Sequence, residues 1–127
     1  MTVPSHRDPK ETMDRLEAEL RARAMNIFAR IDHAAGAREV GLELRPTEVI
    51  IFGNASGGTP LMQLDQTVGI DLPLKVLVWQ DAPAKTWISY NEPNWIAQRH
   101  GLTNADAIVS KLAALLRAVT TRAATDQ

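Results

Sequence analysis

Leu74-Lys75-Val76-Leu77-Val78-Trp79-Gln80, then Asp81-Ala82-Pro83-Ala84, then Lys85-Thr86-Trp87-Ile88-Ser89-Tyr90: this stretch decides the fold class. Two runs rich in β-branched and aromatic residues flank four residues of turn chemistry. That pattern predicts an antiparallel hairpin. Without it, the rest of the chain would read as alternating strands and helices and suggest a doubly wound sheet. The hairpin interrupts that alternation. It favours a two-layer α+β sandwich, with helices on a mixed sheet of about four strands.

Working outward, Thr47 to Phe52 (TEVIIF) is a second strand signal. Its contiguous Val49, Ile50, Ile51 and Phe52 suggest a central strand or burial on both faces. Met25 to Ile31 (MNIFARI) reads as a third strand, and His33 to Val40 as a short helix ending at Gly41. Asp8, Pro9 and Glu11 form a helix-start pattern, with a cap, a first-turn proline and a capping-box acid. Met13, Leu16 and Leu20 then recur at helical spacing, so a helix from about Asp8 to Arg23 is expected. Asn94 to His100 reads as a short helix closed by Gly101. Asn104 or Thr103 is the expected cap of a last helix with the stripe Ile108, Leu112, Leu115 and Val119, broadened by Val109 and Leu116. Residues 1–127 are expected to form one domain with its core at about 8–119 and loose termini. His6 falls in the first loose terminus and Thr120 onward in the second.

Composition narrows the function classes. There are 14 Lys and Arg against 15 Asp and Glu. That balance lacks the positive field that non-specific nucleic-acid binding requires. There is no cysteine, which removes thiolate metal sites and cysteine nucleophiles and suits a reducing compartment. The first twenty residues are too charged for a signal peptide, and no apolar run reaches the roughly 20 residues that span a bilayer. A cytoplasmic protein without membrane or nucleic-acid partners is expected.

The motifs ARIDHAAGA, IIFGNASGGTPLMQ, IDLPLKVLVWQD and TWISYNEPNWIAQRHGL, in that order over roughly Thr12 to Leu102, resemble the prokaryotic family known as domain of unknown function 302. The combination of FGN, GTPLM and DLPLK carries the specificity. The resemblance implies a compact α/β domain that forms homodimers, and it supplies no catalytic residues. Ala24 stands where a helix-ending Gly is common in the family, Ala84 where a turn Gly is usual, and Ala55 where Pro often follows FGN.

The loop from Gly53 to Thr59, with Thr59 and Pro60 opening the next helix, is the sharpest polar feature. Glycines permit close approach to backbone amides, and helix N-termini favour anions. Asn54, Gly57, Gly58 and Thr59 are therefore candidate ligands for a small anion, with Lys75 as a complementary charge. The plainer role is a structural turn held by Asn54 and Thr59. The spacing is neither a phosphate-binding loop ending in Lys nor a dinucleotide fingerprint.

Asp32 and His33 are adjacent acid–base candidates, although Asp32 also suits a helix cap. His100 is a further candidate, although a helix C-terminus itself favours His. No metal-ligand spacing occurs, so no metal is expected, and the sequence leaves any cofactor unknown. Trp79, Trp87, Trp95 and Tyr90 belong to a core or to a subunit seam. The reading is a homodimeric domain binding a small anionic ligand at Gly53–Thr59. The alternatives are an enzyme using Asp32 with His33, or His100, and an interaction module with no small-molecule site.

Overall fold

The computed structural model describes residues 1–125. Among these residues the chain forms strands β1 (Thr2–Ser5), β2 (Asn26–Asp32), β3 (Thr47–Gly53), β4 (Leu74–Gln80) and β5 (Thr86–Tyr90). The helices are α1 (Pro9–Ala22), α2 (His33–Glu39), α3 (Ala55–Leu64), α4 (Pro93–Arg99) and α5 (Asp106–Ala124), and a 3-10 turn spans Gln66–Ile70. The strand order is β1-β5-β4-β3-β2. The hairpin forms as read, with Trp79 opposite Trp87 and Val78 opposite Ile88.

The two-layer α+β architecture holds, and two details of the expected sheet are corrected. All four neighbouring pairs are antiparallel, so the sheet is not mixed. For β2 and β3 the reason is helix length. Helix α2 has 7 residues, about 10 Å, against about 23 Å for the 7-residue β2 beside it. It cannot carry the chain back along a strand, so it only turns a corner. Helix α1, with 14 residues, is about 21 Å long. It is the crossover between β1 and β2, which run the same way on opposite edges of the sheet.

The second correction is a fifth strand. The N-terminus is not loose: β1 pairs with β5 from Thr2–Ser89 to Ser5–Thr86. Pro4 hid it, yet proline is tolerated on an edge strand. The Ser5 and Thr12 hydroxyls meet at 2.7 Å in a buried contact. The His6 amide donates to the Ala124 carbonyl at 2.9 Å. The C-terminal side is likewise ordered beyond Val119: α5 runs to Ala124, with Thr120, Ala123 and Ala124 buried. Gln127 and its neighbour lie outside the described residues.

Side-chain alternation explains the core. Leu74, Val76 and Val78, with Ile50, Phe52 and Ile88, point to one face of the sheet. There they meet Met13, Leu16 and Leu20 of α1 and Leu112, Leu116 and Val119 of α5 in one cluster. Helix α1 is capped by Asp8 as its sequence predicts, with the Glu11 amide donating to Asp8 Oδ1 at 2.7 Å, while the Glu11 carboxylate pairs with Arg7 at 2.7 Å instead of closing a capping box. The edge by β2 is tied down by Arg30. Its guanidinium reaches Asp14 at 2.8 Å, Glu48 at 2.9 Å and Glu17 at 3.4 Å. Burial opposes its charge, but these three carboxylates hold its pKa above the ordinary arginine value.

Candidate functional site

The glycine-rich segment is the first turn of a helix rather than a loop before one. Helix α3 begins at Ala55, four residues earlier than the expected start at Thr59. Asn54 is extended and caps it. Its Oδ1 accepts the Gly57 amide at 2.7 Å and the Ser56 hydroxyl at 3.1 Å. An Asn cap is worth about 1 kcal/mol, enough to offset much of the cost of a helical glycine. Gly57 and Gly58 do not adopt positive φ. Gly57 matters for room instead: a Cβ there would sit 3.0 Å from Asn54 Oδ1. Pro60 lies inside α3 rather than at its first position. Having no N–H, it leaves the Ser56 carbonyl without its helical donor.

This helix start borders a cavity of about 420 Å³. Asn54, Gly57, Gly58 and Thr59 all line it, so four of the five expected ligand residues converge. The other walls are Met25, Asn26, Phe28, Met62, Gly69, Leu72, Pro73, Leu74 and Leu112, together with Gly53 and Ala55. None of these side chains is charged. Phe28 reaches the rim because the β2–β3 register shifts between Ile27 and Ala29. Such a bulge re-aims a side chain, and Phe28 stays 58% exposed. Sequence reading missed these walls. Met25 and Phe28 read as strand residues, and a bulge leaves no mark in the pattern.

Lys75 does not join the cavity. Leu74 faces the cavity, so the next residue must point to the other side of the sheet. Lys75 sits opposite Ile51, and its Nζ donates to the Pro73 carbonyl at 3.3 Å. It lines a separate depression with Val49, Leu77 and Ser89. The amides proposed for an anion are also engaged. Gly57 donates to Asn54 as above, and Gly58 donates to the Asn54 carbonyl at 3.1 Å.

The acid–base candidates occupy three separate settings. Asp32 caps α2, accepting the Ala35 amide at 2.9 Å. His33 is the first residue of that helix and is exposed. His100 is nearly buried. Its Nε2 contacts Asp71 Oδ2 at 2.5 Å, and its Nδ1 lies 3.3 Å from the Thr67 hydroxyl. Asp71 also accepts from Arg99 at 2.8 Å. The Thr67 hydroxyl donates to Asp65 Oδ1 at 2.7 Å. That hydroxyl, then the Thr67 amide, holds the Asp65 carboxyl below its usual range. This group pins the 3-10 turn to the end of α4, and none of its members lines the cavity described above. Among the described residues no three His, Cys, Asp or Glu side chains group to hold a metal.

The aromatics divide between the two sides of the sheet. Trp79 and Trp87 stack on the face away from the helices, with centroids 6.2 Å apart. Their indole N–H groups donate to Ser89 Oγ at 2.9 Å and to Asp81 Oδ2 at 2.8 Å. Lys85 Nζ lies 4.6 Å over the Trp87 ring. Val49, Ile51 and Leu77 share this face and are half-exposed, and Ile31 is 41% exposed. Tyr90 packs against the core instead. Trp95 stands apart on α4, with Arg99 5.7 Å from its ring centre.

Comparison with known proteins places this geometry. The family model "Domain of unknown function DUF302" matches residues 1–119. The crystal structure of an uncharacterised conserved DUF302 protein from Bacillus stearothermophilus superposes with a TM-score of 0.87 at 22% identity, covering 97% of this chain and 96% of that one. Proteins named "Fluoride-specific ion channel FluC 1" from Brucella suis and Brucella abortus are 45% identical over 127 residues, 99% of this chain. The chain spans 50% and 47% of their lengths, about half of each. Among the described residues no helix is long and apolar enough to cross a membrane.

Proposed function

This chain belongs to the domain of unknown function 302 family, and on that premise we propose that it is a self-associating domain holding a small molecule in the cavity at the start of α3. The observation that carries the reading is placement: the first turn of α3, with Asn54, Gly57, Gly58 and Thr59, lines one cavity together with residues from β2, the turn before β4 and α5. Its volume of about 420 Å³ falls within the roughly 300–1,000 Å³ usual for ligand sites. Self-association is supported by the open sheet face. Five strands about 4.8 Å apart and about 20 Å long present roughly 500 Å². Two such faces supply about 1,000 Å², the lower bound for a specific interface. The reading places the chain in the cytoplasm, in keeping with its lack of cysteine.

Thermal unfolding with fluoride, phosphate, carboxylates and neutral aromatics tests the cavity. A ligand at 100 times its Kd adds about 2.7 kcal/mol of stability. The expected result is a raised midpoint that Gly58→Leu abolishes. No response to any compound at millimolar levels overturns the reading. Sedimentation decides self-association, and a strict monomer at high concentration rejects it.

The Brucella relatives favour a second reading, in which the chain works beside a membrane channel without forming its pore. The support is that half of each channel-named protein is like this chain, while no described helix here could span a bilayer. Cells expressing a fluoride channel with and without this chain should then differ in fluoride tolerance. Equal tolerance argues against it.

A further inference from the structure

The walls of the cavity say more about its occupant than its volume does. We infer that the ligand is an uncharged, mostly apolar small molecule, gripped by its hydrocarbon or aromatic faces, with one neutral polar group at the cavity mouth. This rests on the cavity being the binding site.

No lining side chain carries a charge, and an ion leaving water without a partner costs several kcal/mol. The Gly57 and Gly58 amides do not replace the missing cation, because they already donate to Asn54. Asn54 adds no charge and is partly engaged: its oxygen holds that cap, and one donor of its Nδ2 goes to Met25 Sδ at 3.2 Å. What remains inside is soft and apolar. Met25, Met62, Leu72 and Leu112 surround the space, with Phe28 at its rim. Methionine adapts to ligand shape and favours contact with aromatic rings. Glycines keep the space open. A Cβ on Gly58 would touch Leu72 Cδ1 and Met62 Cε, each at 3.7 Å. Two neutral polar groups are available at the lining: the exposed Thr59 hydroxyl and the exposed Asn26 carboxamide. Hydroxyl, carbonyl or amide groups suit them, and a carboxylate or phosphate gains no countercharge.

A matched pair of fluorescent probes tests the class. N-phenyl-naphthylamine and anilinonaphthalene sulfonate share an aromatic skeleton and differ by a sulfonate. The neutral probe should bind the full chain at least about tenfold more tightly. Gly58→Leu, which fills the cavity, should weaken it at least about tenfold while the unfolding midpoint is kept. Thr59→Lys, at an exposed position, puts a cation at the mouth and should shift the preference toward the sulfonate. Equal or tighter sulfonate binding that still responds to Gly58→Leu overturns the uncharged class and leaves the cavity reading intact. If Gly58→Leu does not fold, Thr59→Lys decides: an unchanged ratio of affinities means the probes bind elsewhere, and the inference falls. Probe binding that neither variant alters removes the cavity reading and this inference together.

Discussion

Ile50 and Ile51 are chain neighbours of the same type, and they lie on opposite faces of β3. Ile50 is fully buried on the face that α1 and α5 cover, and Ile51 is half-exposed on the other. The contrast repeats along β4, where Val78 is 1% exposed and Trp79 beside it is only partly covered. Both faces carry large apolar side chains, but only one has helices to bury them. A half-covered sheet normally alternates apolar and polar residues. Along residues 49–52 of β3 and 76–79 of β4 the alternation is missing, and the resulting apolar patch on the open face, bordered by Lys75 and Ser89, suits an association surface. The lesson is that a contiguous apolar run does not by itself report burial on both faces of a strand within the single chain.

Substitution pairs can break this comparison directly. Ile50→Ala should cost about 2–5 kcal/mol, as truncation in a packed core does. Ile51→Ala should cost less than about 1 kcal/mol at dilute concentration, where the open face has no partner. Denaturant midpoints measured well below any association constant check both. Equal losses would mean that the open face contributes as much to the isolated fold as the covered face, and the distinction would fail.

The second test concerns the tryptophans. Replacing both Trp79 and Trp87 with Ser should weaken self-association by at least about tenfold, roughly 1.4 kcal/mol. Aromatics dominate such interfaces. The concentration dependence of the unfolding midpoint should shrink accordingly. An unchanged dimer would move the interface elsewhere, to the exposed Val40, Leu42 and Leu44 beyond α2.

Much of this architecture is legible in the sequence because local signals agree. The α1 cap, the 74–90 hairpin and the α5 stripe each rest on two or three residues pointing the same way. The unbroken VIIF run of β3 marks an interior strand, paired on both sides between β4 and the edge strand β2, but only Ile50 and Phe52 of the run are buried. Strand β1 was hidden because four residues containing Pro4 carry no periodicity, and only pairing with β5 makes them a strand. The candidate site was half legible. Asn54 through Thr59 drew notice by composition, but their helical state turned on a single cap, Asn54 to Gly57. Lys75 was misplaced because sequence spacing alone does not say which sheet face meets the cavity. The apolar walls were unreadable, since they come from β2, α3, the turn before β4 and α5, brought together only by the fold.

Acid should probe the open face more gently. The Trp87 indole N–H and the Lys85 amide both donate to Asp81, and together they hold its carboxyl below the usual range. A folded-state pKa that is lowered contributes stability above the unfolded value. That contribution is lost as pH falls through the folded value, so the window opens at about pH 4 and extends downward. Asp81→Asn should therefore destabilise the chain at pH 7. The gap between variant and wild type should narrow as the pH drops below about 4. A gap independent of pH would mean that the carboxylate charge contributes nothing to the hairpin.

The smallest expected effect lies at two alanines, one ending helix α1 and one in the β4–β5 turn. Helices α1, α2 and α4 end alike. In each, the amide of the second residue past the cap returns to a carbonyl of the last turn: Met25 to Leu20, Leu42 to Ala37, and Leu102 to Ala97. This closure needs a left-handed residue between. Gly41 and Gly101 supply it at φ 77° and 63°, while Ala24 adopts φ 60°. Ala84 does the same at φ 70° in the hairpin turn. A left-handed alanine costs about 1–2 kcal/mol, and the greater unfolded-state entropy of glycine returns about half of that. Ala24→Gly and Ala84→Gly should each raise stability by about 0.5–1 kcal/mol, and the two should add because the sites are far apart. The pair also sharpens the comparison between faces. Ala24→Gly ends a helix on the covered side and should leave self-association alone. Ala84→Gly relaxes the turn that aligns Trp79 with Trp87, so any change in dimer affinity should follow that substitution only. A shift in association caused by Ala24→Gly would show that the covered layer, not the open face, sets the interface.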